Sequence, residues 1–341
     1  MSFLAGWQSG YAAACKAVYA GSIPASASKI IMKKEWRDKE GNLHTGKVLA
    51  EKDGFSVIDC ELCEFSHVIE IPDDEFLEEY YKNQYLGKRA SDEFYKKMES
   101  EFEWNEIFHN EKFDIIEPEL PTQSRKVLDI GSGLGCFLST GKKRGWQCKG
   151  IEPSVDSANY AREKFNLDIS EVYLSSETFQ DFDTYDFIHS HEVFEHLRKP
   201  LEMLEIMHKL LNKDGVICIV CPNDFNPLQK IANSFVGFEN WWVAPPEHLN
   251  YFSMQSLKNL ISKAGFEVIY TTSTFPLELF ILQGENYIGN DSIGSIIHKK
   301  RMELEKTFSE HGEDELRRKI YHSFSNLGLG REIAVFARKI S

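Results

Sequence analysis

Lys126-Val127-Leu128-Asp129-Ile130-Gly131-Ser132-Gly133-Leu134-Gly135 is the stretch that decides the fold. Val127 to Ile130 has the apolar run of a buried strand, glycines interrupt it, and a helix is expected from about Leu134. Glycines at such a break let backbone approach a ligand without a Cβ in the way. The helix N-terminus beyond them offers free N–H groups to an anionic group. A second apolar stretch, Gln147 to Ile151, ends in Glu152, and a carboxylate at that place suits a ribose diol. Asp129, Gly131, Gly133, Gly135 and Glu152 together describe a nucleoside-type cofactor site.

The dinucleotide version of this turn, G-x-G-x-x-G, needs glycine or alanine at 136, where the chain has Cys136. With an acidic residue ahead of the glycines, D-x-G-x-G-x-G instead resembles the class I S-adenosylmethionine-dependent methyltransferases. From Val127 onward, strand and helix patterns alternate, as in a parallel sheet wound with crossovers. Strands are expected at 126–130, 147–151, 171–174, 184–190, 215–221, 266–271 and 332–338. Helices are expected at 134–144, 154–165, 199–212 and 253–264. The expected fold is α/β: a seven-stranded, doubly wound, Rossmann-like methyltransferase sheet whose last strand, by the resemblance, runs antiparallel. Long connections at 222–252 and 276–330 exceed the usual length and suit substrate recognition or oligomer contacts; the second ends in a charged helical run, 298–324.

Three regions follow from the pattern: 1–31, 32–123 and 124–341. The first is rich in small residues and lacks both acidic groups and the make-up of a signal peptide. Gly21-Ser22-Ile23-Pro24 is what GGTTCGATTCC encodes, a string resembling the T-arm of a transfer RNA gene. Residues 1–31 are therefore expected to be a non-native or disordered leader, with Met32 the natural start. The accessory region 32–123 holds a hairpin, 55–60 and 66–71, across a Cys60-x-x-Cys63 turn, then helical stretches at 72–85 and 91–108.

A net charge of −14, spread along the chain, disfavours nucleic acid or an anionic membrane as the main partner. No apolar run approaches a membrane span. Seven cysteines with one close pair read as reduced cytoplasmic thiols rather than a disulfide framework. The partner expected is a small-molecule acceptor, with a homo-oligomer open.

Two further stretches resemble a broad subgroup of small-molecule methyltransferases. One runs from Phe187 through His191, Glu192, Glu195 and His196 to Leu197; the other is Pro246-Glu247-His248-Leu249-Asn250-Tyr251-Phe252-Ser253. The resemblance covers about 124–275 and implies S-adenosylmethionine as methyl donor. It implies His191 and Glu192 as the wall of the cofactor's methionine part, and Ser176 and Glu177 at the adenine. It also implies a carbohydrate or sugar-nucleotide acceptor of surface-polysaccharide synthesis. Trp241-Trp242, Tyr80-Tyr81, Phe275 and Tyr287 could frame a sugar or ring-bearing substrate, with scattered core aromatics as the alternative. Alignment and exclusion of water serve every acceptor; a hydroxyl or carbon acid also needs a base. His196 and His248 are candidates, beside Glu195 and Glu247. The bland alternative has both histidines bonding backbone. In the accessory region, Cys60 and Cys63 with His44 and His67 could form a zinc site, structural zinc wanting four ligands. Some sugar-modifying methyltransferases have two cysteine pairs there; a metal-free hairpin with two buried thiols is the alternative. A nicotinamide-dependent oxidoreductase and a catalytically idle cofactor-binding protein are the rival readings.

Overall fold

A computed structural model of the chain describes residues 32–73, 76–77, 92–121, 125–237 and 240–340. The chain divides into two units, Met1–Met32 and Lys33–Ser341, and every described element belongs to the second. The expected leader, most of the helical stretch 72–85 and the Tyr80-Tyr81 pair lie outside the described residues.

Val127 and Leu128 are fully buried because the strand they form, β5 (Lys126–Ile130), lies inside a sheet covered on both faces. Its parallel neighbours are β6 (Gln147–Ile151) and β8 (Tyr185–His191). The short β7 (Asp168–Ser170) closes one edge beside β6. On the other side β8 pairs with β9 (Leu211–Pro222), whose Val216-Ile217-Cys218-Ile219-Val220 run is apolar throughout and buried on both faces. β12 (Glu332–Lys339) inserts antiparallel between β9 and β11 (Phe266–Ser273). The order β11-β12-β9-β8-β5-β6-β7 is the expected seven-stranded sheet with its antiparallel insertion.

Helices cover both faces. α1 (Asp92–Ile116), α2 (Cys136–Lys143) and α3 (Val155–Phe165) lie on one, where Phe113, Phe137, Leu138 and Phe187 form the core. α4 (Pro200–Leu210) and α6 (Met254–Lys263) lie on the other, over Leu128, Ile188, Ile217 and Val335. α4 starts on Pro200 at a position where the missing N–H costs nothing. Between β9 and α6, the long connection holds α5 (Pro227–Val236), opened by an Asn226–Gln229 capping box.

The connection before β12 contains α7 (Glu278–Leu282), α8 (Asp291–Glu310) and α9 (Asp314–Asn326). The expected continuous run 298–324 is thus two helices, because Gly312 at φ +71 reverses the chain between them. A buried polar network fastens α8 and α9 to α1. Trp104 Nε1 and Tyr321 Oη both donate to Glu305, each at 2.7 Å, and Arg301 stacks over Trp104. Arg317, 1 % exposed, pairs with Glu111 at 2.9 Å.

The N-terminal region is a second sheet. β1 (Lys33–Arg37), β2 (Leu43–Lys52), β3 (Phe55–Cys60) and β4 (Ser66–Ile69) form an antiparallel meander. Its fifth strand is β10 (Asn250–Tyr251), from the far side of α5. His67 stands opposite Asn250, so the hairpin docks directly on the segment that follows His248.

Candidate functional site

The turn after β5 is shaped by two demands. A Cβ on Gly135 would lie 2.6 Å from Leu167 Cδ1 and 2.9 Å from Ala161 Cβ, so α2 packs only on a glycine here. Gly133, at φ +51, meets nothing within 4 Å: its bare face is turned to open space, as a ligand cradle requires. Glu152, just past β6, holds the same turn. Its carboxylate accepts from the Gly133 N–H at 2.8 Å and the Ser154 N–H at 2.9 Å.

Asp129 lies beneath the turn rather than on its open face. It is 3 % exposed and its Oδ1 lies 2.7 Å from His189 Nδ1, a hydrogen-bond distance. Burial pushes the Asp129 carboxyl well above the usual carboxylate range and His189 well below the usual histidine range. Burial thus disfavours the charge on each, and the pair supports the glycines from below. Glu177 is exposed, in a turn where its N–H donates to Ser175 Oγ at 3.2 Å.

His191 ends β8, and its Nε2 lies 3.0 Å from Glu332 Oε1 at the start of β12. Burial is the largest influence and opposes the Glu332 charge, but the bond to His191 together with the charges of His191, Arg301 and Lys112 outweighs it and holds the carboxyl well below the usual range. Glu192 turns the chain at φ +53, its N–H bonded to Val220 O. His191, Glu192 and Glu332 line a cavity of about 410 Å³ over the carboxyl ends of β8, β9 and β11, where open α/β sheets bind ligands. Trp104 of α1, Arg301 of α8 and Arg331 also line it. Glu332, Arg331 and the roof formed by α1 and α8 were not among the expected site residues; the signal available was Gly328-Leu329-Gly330-Arg331-Glu332 leading into the last strand.

Glu195, His196 and His248 come together, but outside the lining of this cavity among the described residues. His196 Nδ1 donates to Glu247 O at 2.6 Å, its Nε2 is 4.0 Å from Glu195 Oε1, and its ring meets His248 edge-on at 5.1 Å. Burial pushes the Glu195 carboxyl well above the usual range. Its backbone carbonyl accepts from Leu249 N–H, so this turn is braced by the chain that leads into β10. Of the aromatic residues, Trp242 is 5 % exposed and packs with Val57, Val68 and Tyr251 in the core of the N-terminal sheet.

In that sheet His44, Cys60, Cys63 and His67 bring their donor atoms within 4.8 Å of one another. The described cysteines are all free thiols.

Residues 101–271, half of the chain, match the family model described as a methyltransferase domain. A tRNA U34 carboxymethyltransferase of Haemophilus influenzae is 25 % identical over 201 residues, covering 56 % of this chain and 60 % of its own length. A ubiquinone biosynthesis O-methyltransferase of Pelagibacter ubique is 28 % identical over 130 residues, covering 37 % of this chain and 53 % of its own. The chain thus spans between half and two thirds of these curated relatives. A crystal structure of an S-adenosylmethionine-dependent methyltransferase from Archaeoglobus fulgidus matches with a TM-score of 0.43 at 18 % identity, over 78 % of this chain and all of the other.

These relatives correct one expectation. The acidic balance does not exclude nucleic acid, because proteins similar to this chain are named for a tRNA position. Net charge averages the whole surface and says little about one cleft. No described helix is long and apolar enough to cross a membrane. The glycine turn, the sheet order with its inserted antiparallel strand and the matched domain agree: the chain belongs to the methyltransferase-domain family, among the class I S-adenosylmethionine-dependent methyltransferases.

Proposed function

We propose that the protein transfers a methyl group from S-adenosylmethionine to a polar acceptor held in the cavity between α1 and the strand ends. The observation that carries this is the open face of Gly133, whose N–H bonds Glu152, on the turn after β5, the strand paired with β8 that delivers His191 and Glu192 to the cavity wall. Gly131, Gly133 and Glu152 would hold the nucleoside and amino-acid parts, and Glu177 would border the adenine. The cofactor's sulfonium activates its own methyl group, so the chain supplies alignment, a dry site and, where the acceptor is a hydroxyl, a base.

For that base the geometry favours His191. It faces the cavity, and Glu332 fixes its ring and stabilises the imidazolium that accepting a proton creates. Glu195, His196 and His248 brace the adjoining turn. The lining mixes Arg331 and Lys112 with Glu101, Glu192 and Glu332, which suits an acceptor bearing hydrogen-bonding oxygens. The names of the relatives set the test. Purified protein is incubated with methyl-labelled S-adenosylmethionine and, in separate arms, a tRNA preparation and small hydroxylated ring compounds. Label transferred in either arm, and lost in His191→Gln, supports the reading. Cofactor binding without transfer in any arm opposes it.

A further inference from the structure

Four side chains from three strands and one turn of the N-terminal sheet meet at one point. His44 comes from β2, Cys60 from the end of β3, Cys63 from the turn that follows and His67 from β4. His44 Nδ1 lies 3.2 Å from His67 Nε2, 3.6 Å from Cys60 Sγ and 3.4 Å from Cys63 Sγ. A tetrahedral zinc with bonds of about 2.0–2.1 Å to nitrogen and about 2.3 Å to sulfur has N···N edges near ~3.3 Å and N···S edges near ~3.6 Å. The three spacings around His44 Nδ1 match the edges of a tetrahedral coordination shell, and all four donor atoms lie within 4.8 Å of one another.

The other ring nitrogens say which atoms point inward. His67 Nδ1 donates to Val68 O at 2.7 Å, and His44 Nε2 lies 3.3 Å from Asp38 Oδ2. Each acceptor places the ring proton on the outward nitrogen, the arrangement that backbone carbonyls and carboxylates impose on metal-binding histidines. The two nitrogens that face one another are then both lone-pair ends. At 3.2 Å they repel unless a proton or a cation lies between them. Cys60 and His67 are each 2 % exposed and His44 is 8 % exposed. Trp36 and Phe65 pack against the two imidazoles, closing the cluster.

We propose that His44 Nδ1, Cys60 Sγ, Cys63 Sγ and His67 Nε2 bind one structural zinc ion. With four protein ligands the site has no open position for chemistry. Its effect reaches the rest of the chain through β10. Asn250 is paired with His67, and its Nδ2 donates to Phe194 O at 2.9 Å and Leu197 O at 2.6 Å, bracketing the Glu195-His196 turn. The zinc therefore pins the hairpin on which that turn rests.

Full-length protein stripped with a chelator and titrated with zinc alone should take up about one equivalent per chain. Cobalt in its place should give the visible bands and thiolate charge transfer of a tetrahedral site. Cys60→Ser should lose the charge-transfer intensity and most of the bound metal, whereas Cys148→Ser, a thiol outside the cluster, should keep both. Should Cys60→Ser fail to fold, thiol labelling of the wild type decides. Two fewer reactive thiols with zinc than after chelation support the site. No metal uptake, or a Cys60–Cys63 disulfide in the purified protein, overturns it.

Discussion

His191 and Glu332 stand 141 residues apart in sequence, yet their side chains meet at 3.0 Å in the lining of the cavity. The contact exists because β12 inserts antiparallel beside β9, which brings the start of the last strand to the carboxyl end of β8. His191→Gln should cut turnover by about 10²-fold or more, while affinity for S-adenosylhomocysteine stays within a few-fold. His196→Gln is the matched comparison, and a larger loss there would move the base to the neighbouring turn.

The same pair gives an acid-side stability signature. Glu332 keeps its charge to lower pH in the folded chain than in the unfolded one. Its contribution is therefore complete above the ordinary glutamate range, about pH 4.3, and is lost as pH falls below it. Glu332→Gln should melt lower than wild type near neutrality, and the gap should narrow on acidification. A gap that widens with acid would mean the carboxylate is not stabilised by His191.

Glu195 carries the opposite sign. The unfolded chain ionises this group in the ordinary range, while the folded chain holds it protonated to well above that. Stability should fall as pH rises from about 4.3 towards the raised value. Glu195→Gln removes the ionisation and should flatten that fall in thermal melts. An unchanged slope would show that the buried carboxyl is charged.

Glu305 accepts from both Trp104 and Tyr321 while fully buried. Glu305→Ala leaves two donors and the Arg301 charge without their acceptor, and should cost about 3–5 kcal/mol. Denaturant titration reads this as a lower midpoint at similar slope. A cost below about 1 kcal/mol would mean that α8 is not fastened to α1 through this network.

The legible parts of the chain are those written locally. The run from Lys126 to Gly135, the buried apolar β9 and the Ser253-capped α6 each announce themselves within a dozen residues. β7 is expected at 171–174 and lies at Asp168–Ser170: a three-residue edge strand has too little pattern to set its register. β1 reads Lys33-Lys34-Glu35-Trp36-Arg37, a charged edge with no apolar face to see. Glu332 and Arg301 reach the cavity only through strand order and helix docking, which no sequence window contains. His44 was legible as a partner of the Cys60-x-x-Cys63 turn by residue type alone, since β2 lacks the alternation of a clear strand.

Calorimetry with S-adenosylhomocysteine tests the central claim most directly. Wild-type protein should bind one equivalent. Gly133→Val should bind none while still unfolding cooperatively, because a β-branched side chain fills the ligand's space and resists a φ of +51. Glu152→Ala should weaken binding by about 1.5–3 kcal/mol through loss of charge-assisted hydrogen bonds. Absence of binding by the wild type, or undiminished binding by folded Gly133→Val, would contradict the assignment of the glycine turn as the cofactor site.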